Sequence, residues 1–359
     1  MIPKNKYFTA KLLSWNKNQN RRQMPWKGEK DPYKIWLSEI ILQQTRVEQG
    51  WAYYNRFIRA FPNIEKLANA PEEKIFKLWE GLGYYTRCKN LIATAKIIEK
   101  RDGGIFPDNY NDILALKGIG PYTAAAIASF AFNLPYAVVD GNVFRVLSRF
   151  FGMEEPIDSA VGKKIFTSLA TKLLDKRLPG IYNQAIMDFG ATVCKPKNPL
   201  CSNCLLSHQC AAVLQNKIDK LPVKSGKPAK KTRLFYYFII DYKGKVYVKK
   251  RGPNDIWENL HEFALAETTQ PVPVKQLKSG DIVKQLIGVN QVDVLTVSAI
   301  NRQQLTHQTI LGRFIQCSIN QSISIKGYKA ISYKQLQKLA FPKFITGYLA
   351  KNELLAFAG

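Results

Sequence analysis

Apolar residues recur at helical spacing through the first 220 positions, and the pattern turns to strands beyond them. Asp31-Pro32 predicts a helix start, a capping carboxylate followed by proline at the first helical position, with Ile35, Trp36, Leu37, Ile40 and Ile41 behind it. Pro71-Glu72-Glu73 opens a second helix in the same way, and Gly81-Leu82-Gly83 ends it. Thr86 to Lys100 carries Leu91, Ala95 and Ile98 on one face and stops at Asp102-Gly103-Gly104. The small, apolar run from Pro121 to Phe130 predicts a helix buried among others.

Character changes near Leu221. Pro222 to Lys231 is basic and short of large apolar residues, as a linker should be. Phe235 to Ile240 and Lys245 to Lys249 then read as strands flanking the hairpin turn Asp241-Tyr242-Lys243-Gly244. Ile310 to Ile319 is a further strand candidate and Ser332 to Ala340 a helix candidate. The expected organisation is multidomain: an all-α body over residues 1–220, a basic linker over 221–233, and a smaller α+β domain over 234–359.

Hydrophobic residues at 46% and charged residues at 22% are an ordinary globular balance, but the net charge of +26 is not. That surplus, spread along the whole chain, points first to nucleic acid and second to an anionic membrane surface. No apolar run is long enough to span a bilayer and the N-terminus lacks an apolar signal core. A cytoplasmic, nucleoid-associated protein of bacterial type, free of membrane and monomeric, is expected.

Four of the six cysteines, Cys194, Cys201, Cys204 and Cys210, crowd together with gaps of six, two and five residues. In a reducing compartment such crowding suits a soft metal centre. A four-iron cluster is favoured over zinc because only one of the gaps is a two-residue knuckle. A disulfide pair is the remaining alternative. Cys88 and Cys317 read as small core residues.

Lys117-Gly118-Ile119-Gly120-Pro121 is a glycine-flanked turn entering a helix, able to bring backbone N–H groups close to a phosphate or simply to join two helices. About twenty residues on, Asp140 precedes the apolar run from Val143 to Leu147, as a helix cap does. Capping amides would hold its carboxylate ionised, the state that stabilises a cationic sugar. Glu39 stands on a helix among Trp36, Ile40 and Leu42, surroundings that disfavour its charge, although a solvent-facing helix glutamate is the commoner case.

Taken together, the cysteine gaps, the Gly118–Gly120 turn and Asp140 resemble the endonuclease III, or helix-hairpin-helix, superfamily of DNA glycosylases. The resemblance implies a (4Fe–4S) cluster held by the four cysteines, with Lys195 and Lys197 offered to DNA. It further implies a six-helix barrel module at about 25–135 containing the helix-hairpin-helix at 111–130. The N-terminal segment and about 136–220 would form the iron–sulfur module. Where bifunctional members carry a Schiff-base lysine this chain has Tyr122, which leaves strand cleavage through an imine without a nucleophile.

Arg22 to Trp26, Trp36 to Thr45, Gly81 to Tyr85 and Asn183-Gln184-Ala185 resemble the adenine glycosylase branch, MutY, closely. Position by position, the resemblance implies that Glu39 protonates adenine and that Asp140 stabilises the sugar cation through a transient adduct, assisted by Tyr122 and Asn142. Arg22, Trp26, Leu42 and Gln184 would line the base pocket. Gln44 and Tyr84 would wedge into the stack, and Lys117, Gly118 and Gly120 would grip phosphate.

Arg251 to Phe263 resembles the start of the Nudix-like domain at the end of MutY proteins, without the acidic run that binds magnesium in Nudix hydrolases. Thr306-His307 falls where the family places a Ser-His pair that inspects 8-oxoguanine; a polar hairpin tip is the alternative. The expected function is monofunctional excision of adenine opposite 8-oxoguanine or guanine in double-stranded DNA. The rivals are an endonuclease III-like pyrimidine glycosylase with lyase activity and a non-catalytic iron–sulfur damage binder.

Overall fold

The computed structural model describes residues 3–226, 230–288 and 291–352. Twelve α-helices occupy the described residues before the first strand: α1 Lys4–Asn18, α2 Pro32–Leu42, α3 Val47–Ala60, α4 Ile64–Ala68, α5 Glu72–Trp79, α6 Tyr85–Asp102, α7 Tyr110–Ala115, α8 Pro121–Phe132, α9 Gly141–Phe151, α10 Ala160–Leu173, α11 Pro179–Thr192 and α12 Ala211–Leu214. The chain then runs β1 Lys231–Tyr242, β2 Lys245–Lys250, β3 His261–Thr268, α13 Val274–Lys278, α14 Asp281–Ile287, β4 Asp293–Val297, β5 Asn301–Gln304, β6 Gln308–Ser318, β7 Lys329–Ser332, α15 Tyr333–Leu336 and α16 Lys343–Lys351. Two compact units result: Met1–Asn69 with Asn90–Gly226, and Ala70–Lys89 with Lys227–Gly359. The division falls inside α6, so α5 and the turn after it belong to the second unit. No helix of the described residues is long and apolar enough to cross a membrane.

Local signals explain most helix starts in the first unit. Asp31 caps α2 by accepting from the Tyr33 amide, with Pro32 in the first turn. Asp140 caps α9 through the amides of Asn142 and Val143. The apolar face of α9 closes on α1, α10 and α11 in one core holding Phe8, Leu12, Val143, Leu147, Phe150, Phe166, Tyr182 and Phe189. Gly190 permits a close approach between α11 and α9, since a Cβ there would stand 2.6 Å from the Cβ of Asn142. Pro71 differs from expectation: it is itself the N-cap of α5, with no side-chain bond, and the acidic first turn of Glu72 and Glu73 supplies the favourable dipole interaction instead.

The second unit is built on a seven-stranded sheet in the order β4-β6-β1-β3-β2-β7, with β5 also on β6. Its centre is a parallel pairing of β1 with β6 from Lys231↔Gln308 to Asp241↔Ser318, and the other pairings are antiparallel. Phe238, Ile240, Tyr247, Ala264, Ile315 and Cys317 are buried beneath Leu277, Val283 and Ile287 of α13 and α14.

Two sequence expectations are corrected here. The expected linker, of which 227–229 lie outside the described residues, ends early because β1 begins at Lys231. Its start is tied to the helical unit, with Ile157 N donating to Val223 O and Ser225 N to Asp158. The helix expected from Ser332 to Ala340 closes at Leu336. Beyond it Ala340 O accepts from His261 N at 2.8 Å, and Phe341 N is held by Glu80, so tertiary partners take the backbone that a longer helix would use.

Candidate active site

A cavity of about 360 Å³ opens in the first unit, and Glu39, Tyr122, Asp140, Asn142, Arg22, Trp26, Leu42 and Gln184 all line it. They come from the N-terminal segment and four helices or helix starts, α2, α8, α9 and α11. Met24, Lys27, Ser38, Ile181 and Met187 complete much of the wall.

Glu39 is 6% exposed, which excludes the solvent-facing reading. Burial pushes its carboxyl up to about 7; a hydrogen bond from Tyr122 opposes the rise and the charge of Asp140 adds to it. The Tyr122 hydroxyl also has Met187 Sδ at 3.7 Å. Thioether sulfur is the weaker acceptor, so the carboxylate takes this proton once ionised.

Asp140 is held at both oxygens. Oδ1 accepts from the amides of Asn142 (2.9 Å) and Val143 (2.8 Å), and Oδ2 accepts from Asn142 Nδ2 at 2.7 Å. The expectation that capping keeps this carboxyl ionised is met only in part. Burial raises its pKa, and these bonds together with the Arg145 charge pull it back without cancelling the rise. Arg145 in turn donates to Asn142 Oδ1 (2.8 Å), Gly190 O (2.6 Å) and Cys194 O (2.7 Å), joining the Asp140 partner to the cysteine loop.

One residue behind the pocket wall has no counterpart in the sequence reading. The fully buried carboxylate of Asp188 accepts from Arg22 (2.9 Å), Lys27 (3.0 Å), Asn20 (2.9 Å) and Gln184 (2.9 Å). It thereby fixes Arg22 and Gln184, two of the expected base-pocket residues. Its signal was available: Asp188 is the lone charge in the apolar stretch Ala185-Ile186-Met187-Asp188-Phe189.

Cys194, Cys201, Cys204 and Cys210 line one small cavity of about 30 Å³, almost wholly apolar, with Val146, Phe150, Phe189 and Leu206. Arg149 donates to the Lys195 and Pro196 carbonyls and lies 3.6 Å from Cys194 Sγ. Among the described residues no group of three or more His, Cys, Asp or Glu is already drawn together as a ligand set for a single metal ion. Cys88 and Cys317 are buried apart from this group.

The remaining expected contacts are surface features. Lys117, Gly118 and Gly120 are exposed on the turn between α7 and α8. Gly118 has φ +78, and a Cβ there would meet Asn90 at 2.6 Å, so position 118 requires glycine. Gln44 and Tyr84, both exposed, hold left-handed backbone conformations (φ 56 and 48) that such residues rarely adopt. In the second unit Thr306 and His307 form a two-residue tip between β5 and β6, closed by Leu305 N to Gln308 O at 2.8 Å. The hydroxyls of Thr306 and Tyr84 are 3.0 Å apart and hydrogen-bonded.

Residues 37–169 match the HhH-GPD superfamily of base excision DNA repair proteins. The adenine DNA glycosylase of Buchnera aphidicola subsp. Baizongia pistaciae is 35% identical over 355 residues, spanning 96% of each chain. A solved thermostable thymine-DNA glycosylase superposes with a TM-score of 0.55 at 31% identity, covering 59% of this chain and 97% of its own. An endonuclease III–DNA complex superposes with a TM-score of 0.50 at 19% identity, covering 60% and 99%, and shares the fold of the helical body.

Proposed function

Because the chain belongs to the adenine DNA glycosylase family, we propose that it excises adenine from duplex DNA where the opposing base is 8-oxoguanine or guanine. The target nucleotide would leave the stack and enter the Glu39–Asp140 cavity. A volume near 360 Å³ lies at the lower end of the range of roughly 300–1,000 Å³ for small-molecule pockets and suits one nucleoside.

The observation that carries this reading is the pairing of two carboxyls with different duties in one cavity. Glu39, pushed up to about 7, is protonated in a sizeable fraction near neutrality and can give its proton to a ring nitrogen of adenine. The C1′–N9 bond then breaks with its electron pair going to the protonated base. Asp140, with both oxygens fixed by Asn142 and the Val143 amide, faces the developing positive charge at C1′. Glu39, now ionised and still bonded to Tyr122, can accept a proton from the water that completes hydrolysis. The cavity holds a phenol at position 122, and of the two amines on its wall Lys27 is ion-paired to Asp188 and Lys30 donates to the Phe130 carbonyl, which favours base release without strand cleavage.

The four cysteines would hold a (4Fe–4S) cluster: four soft donors on one apolar cavity, beside the Arg149 guanidinium that offsets thiolate charge, fit that group. When bound, the cluster would supply a cross-link that fixes the loop. The sheet of the second unit is read as a Nudix-like domain, with Thr306, His307 and Tyr84 meeting the base opposite adenine. Gln44 would wedge the stack, and the Lys117–Gly120 turn would grip phosphate with a surplus of positive charge behind it.

The deciding experiment is adenine release from a duplex with one A:8-oxoguanine pair, comparing wild type with Glu39→Gln. Release by wild type alone, with strand breaks only after alkali, supports the reading. Direct nicking by wild type would establish a lyase instead. Tight binding with no release by wild type would leave a damage reader without chemistry.

A further inference from the structure

In the second unit the peptide of Phe341 is grasped from both sides by the segment that carries Tyr84. Its N–H donates to Glu80 Oε1 at 2.8 Å, and its carbonyl accepts from the Tyr85 hydroxyl at 3.4 Å. Two residues earlier, Leu339 O accepts from Lys77 Nζ at 2.9 Å, and the same ammonium holds Glu80 Oε2 at 2.7 Å. Ala340 O is bound on its other side by His261 N at the start of β3. Leu339–Phe341 therefore acts as a short strap between the sheet and the end of α5, held on one side by the first amide of β3 and on the other by the side chains of Lys77, Glu80 and Tyr85.

Glu80 is also the C-cap of α5 and the first residue of the turn Gly81-Leu82-Gly83-Tyr84. The Tyr85 hydroxyl that reaches the strap accepts from Gly81 N at 3.3 Å, and the Trp79 indole donates to Gly83 O at 3.0 Å. Gly81, Gly83 and Tyr84 are all left-handed in this turn; glycine adopts that conformation freely, but Tyr84 at φ 48 keeps it only where the surroundings over-determine it. The tip of that turn is the Tyr84 hydroxyl bonded to Thr306.

We propose that Glu80, supported by Lys77 and Tyr85, is a positioning residue that locks the Tyr84 turn to the Leu339–Phe341 strap, and that discrimination between 8-oxoguanine and guanine opposite adenine depends on this lock. The inference rests on the reading that Tyr84 and Thr306 meet the opposing base. Glu80 touches neither DNA nor the reacting atoms in this scheme; it acts by fixing where the Tyr84 ring stands.

The test measures binding of the full chain to two duplexes carrying a non-hydrolysable 2′-fluoro-adenosine, one opposite 8-oxoguanine and one opposite guanine. The readout is the ratio of the two Kd values, from which a general loss of active protein cancels. Glu80→Leu, which deletes the acceptor for Phe341 N–H, is expected to shrink the wild-type ratio by about tenfold, the worth of one charge-assisted hydrogen bond. Glu80→Gln, which keeps Oε1 as acceptor, is expected to restore most of it. Should Glu80→Leu fail to fold, Lys77→Met removes the bond to Leu339 and serves in its place. An unchanged ratio in Glu80→Leu, or in Lys77→Met, while Tyr84→Phe and Thr306→Ala both alter it, overturns the lock and spares the reading beneath it. A ratio unmoved by Tyr84→Phe and Thr306→Ala overturns both.

Discussion

Asn142 bonds to opposite oxygens of Asp140, its backbone amide to Oδ1 and its side-chain amide to Oδ2. Its own Oδ1 accepts from Arg145, so the amide has one productive orientation. Asn142→Ala is therefore expected to leave the cavity open and Asp140 loosely held. Single-turnover adenine release should fall roughly a hundredfold, the scale of losing one preorganised donor in an active site. Affinity for the duplex should change far less, and equal losses in both would refute a role confined to the chemical step.

The pH profile follows from Glu39. Its acid form is the proton donor, and a carboxyl raised to about 7 loses that proton as pH climbs through neutrality. Release should decline above about pH 7, measured as the single-turnover rate. Stability carries the same sign: the folded carboxyl binds its proton more tightly than the unfolded one, so the cost of burying its charge is relieved at low pH and is fully present above 7. Glu39→Gln should then gain stability over wild type by about 3 kcal/mol above pH 7, an advantage that shrinks toward pH 5. Parallel denaturation curves at the two pH values check it.

Gly190 offers a test at a distance from the reacting atoms. A methyl group there would meet Asn142 Cβ at 2.6 Å and its carbonyl oxygen at 3.0 Å. Gly190→Ala should cost about 1–3 kcal/mol by overpacking. It should also slow release as Asn142→Ala does, because the same residue is displaced. A variant that loses stability but keeps the wild-type rate would separate α9–α11 packing from the site.

Asp188→Ala removes the acceptor for Arg22, Lys27, Asn20 and Gln184 at once. With two mostly buried cations left uncompensated, a loss of about 3–5 kcal/mol is expected in equilibrium unfolding. Asp188→Asn, which keeps one acceptor oxygen, should fall between that variant and wild type.

The cysteine loop should contain iron as purified. Cys204→Ser is expected to lower the bound iron and the visible absorbance together. Because Arg145 joins Cys194 O to Asn142 Oδ1, it should also reduce the release rate. Iron analysis beside single-turnover kinetics would show whether the two fall in step.

Features written in consecutive residues were the legible ones. The Asp31-Pro32 cap and the Asp140 cap need only their neighbours and stand where the sequence reading puts them; the Asp241–Gly244 hairpin does too, although its turn narrows to Lys243-Gly244 because Asp241 and Tyr242 pair with Val246 and Lys245. All eight residues that the resemblance implies to catalyse or to hold the base line a single cavity, brought there by the segment before α2 and by α2, α8, α9 and α11. Asp188 escaped because its meaning lies in partners more than 160 residues away. The early end of α15 escaped for a similar reason, since at Ala340 and Phe341 the backbone is bound by His261 and Glu80. Strands β3, β4, β5 and β7 were not foreseen, and periodicity within one short segment cannot name the strand it will pair with.

The β1–β6 ladder has a consequence for how the chain is made. β1 sits at the centre of its sheet, yet its parallel neighbour is complete only at Ser318. At ribosomal rates of about 5–20 residues per second, β1 waits several seconds with that side unpaired, a row of free amides and carbonyls flanked by Phe235, Phe238 and Ile239. Lys230 just before it, and Lys231 and Arg233 in its first residues, put like charge beside that open edge. Nascent chains would repel one another there, so the lysines and arginine that suit a polyanion late in the protein's life also guard it against aggregation at its beginning.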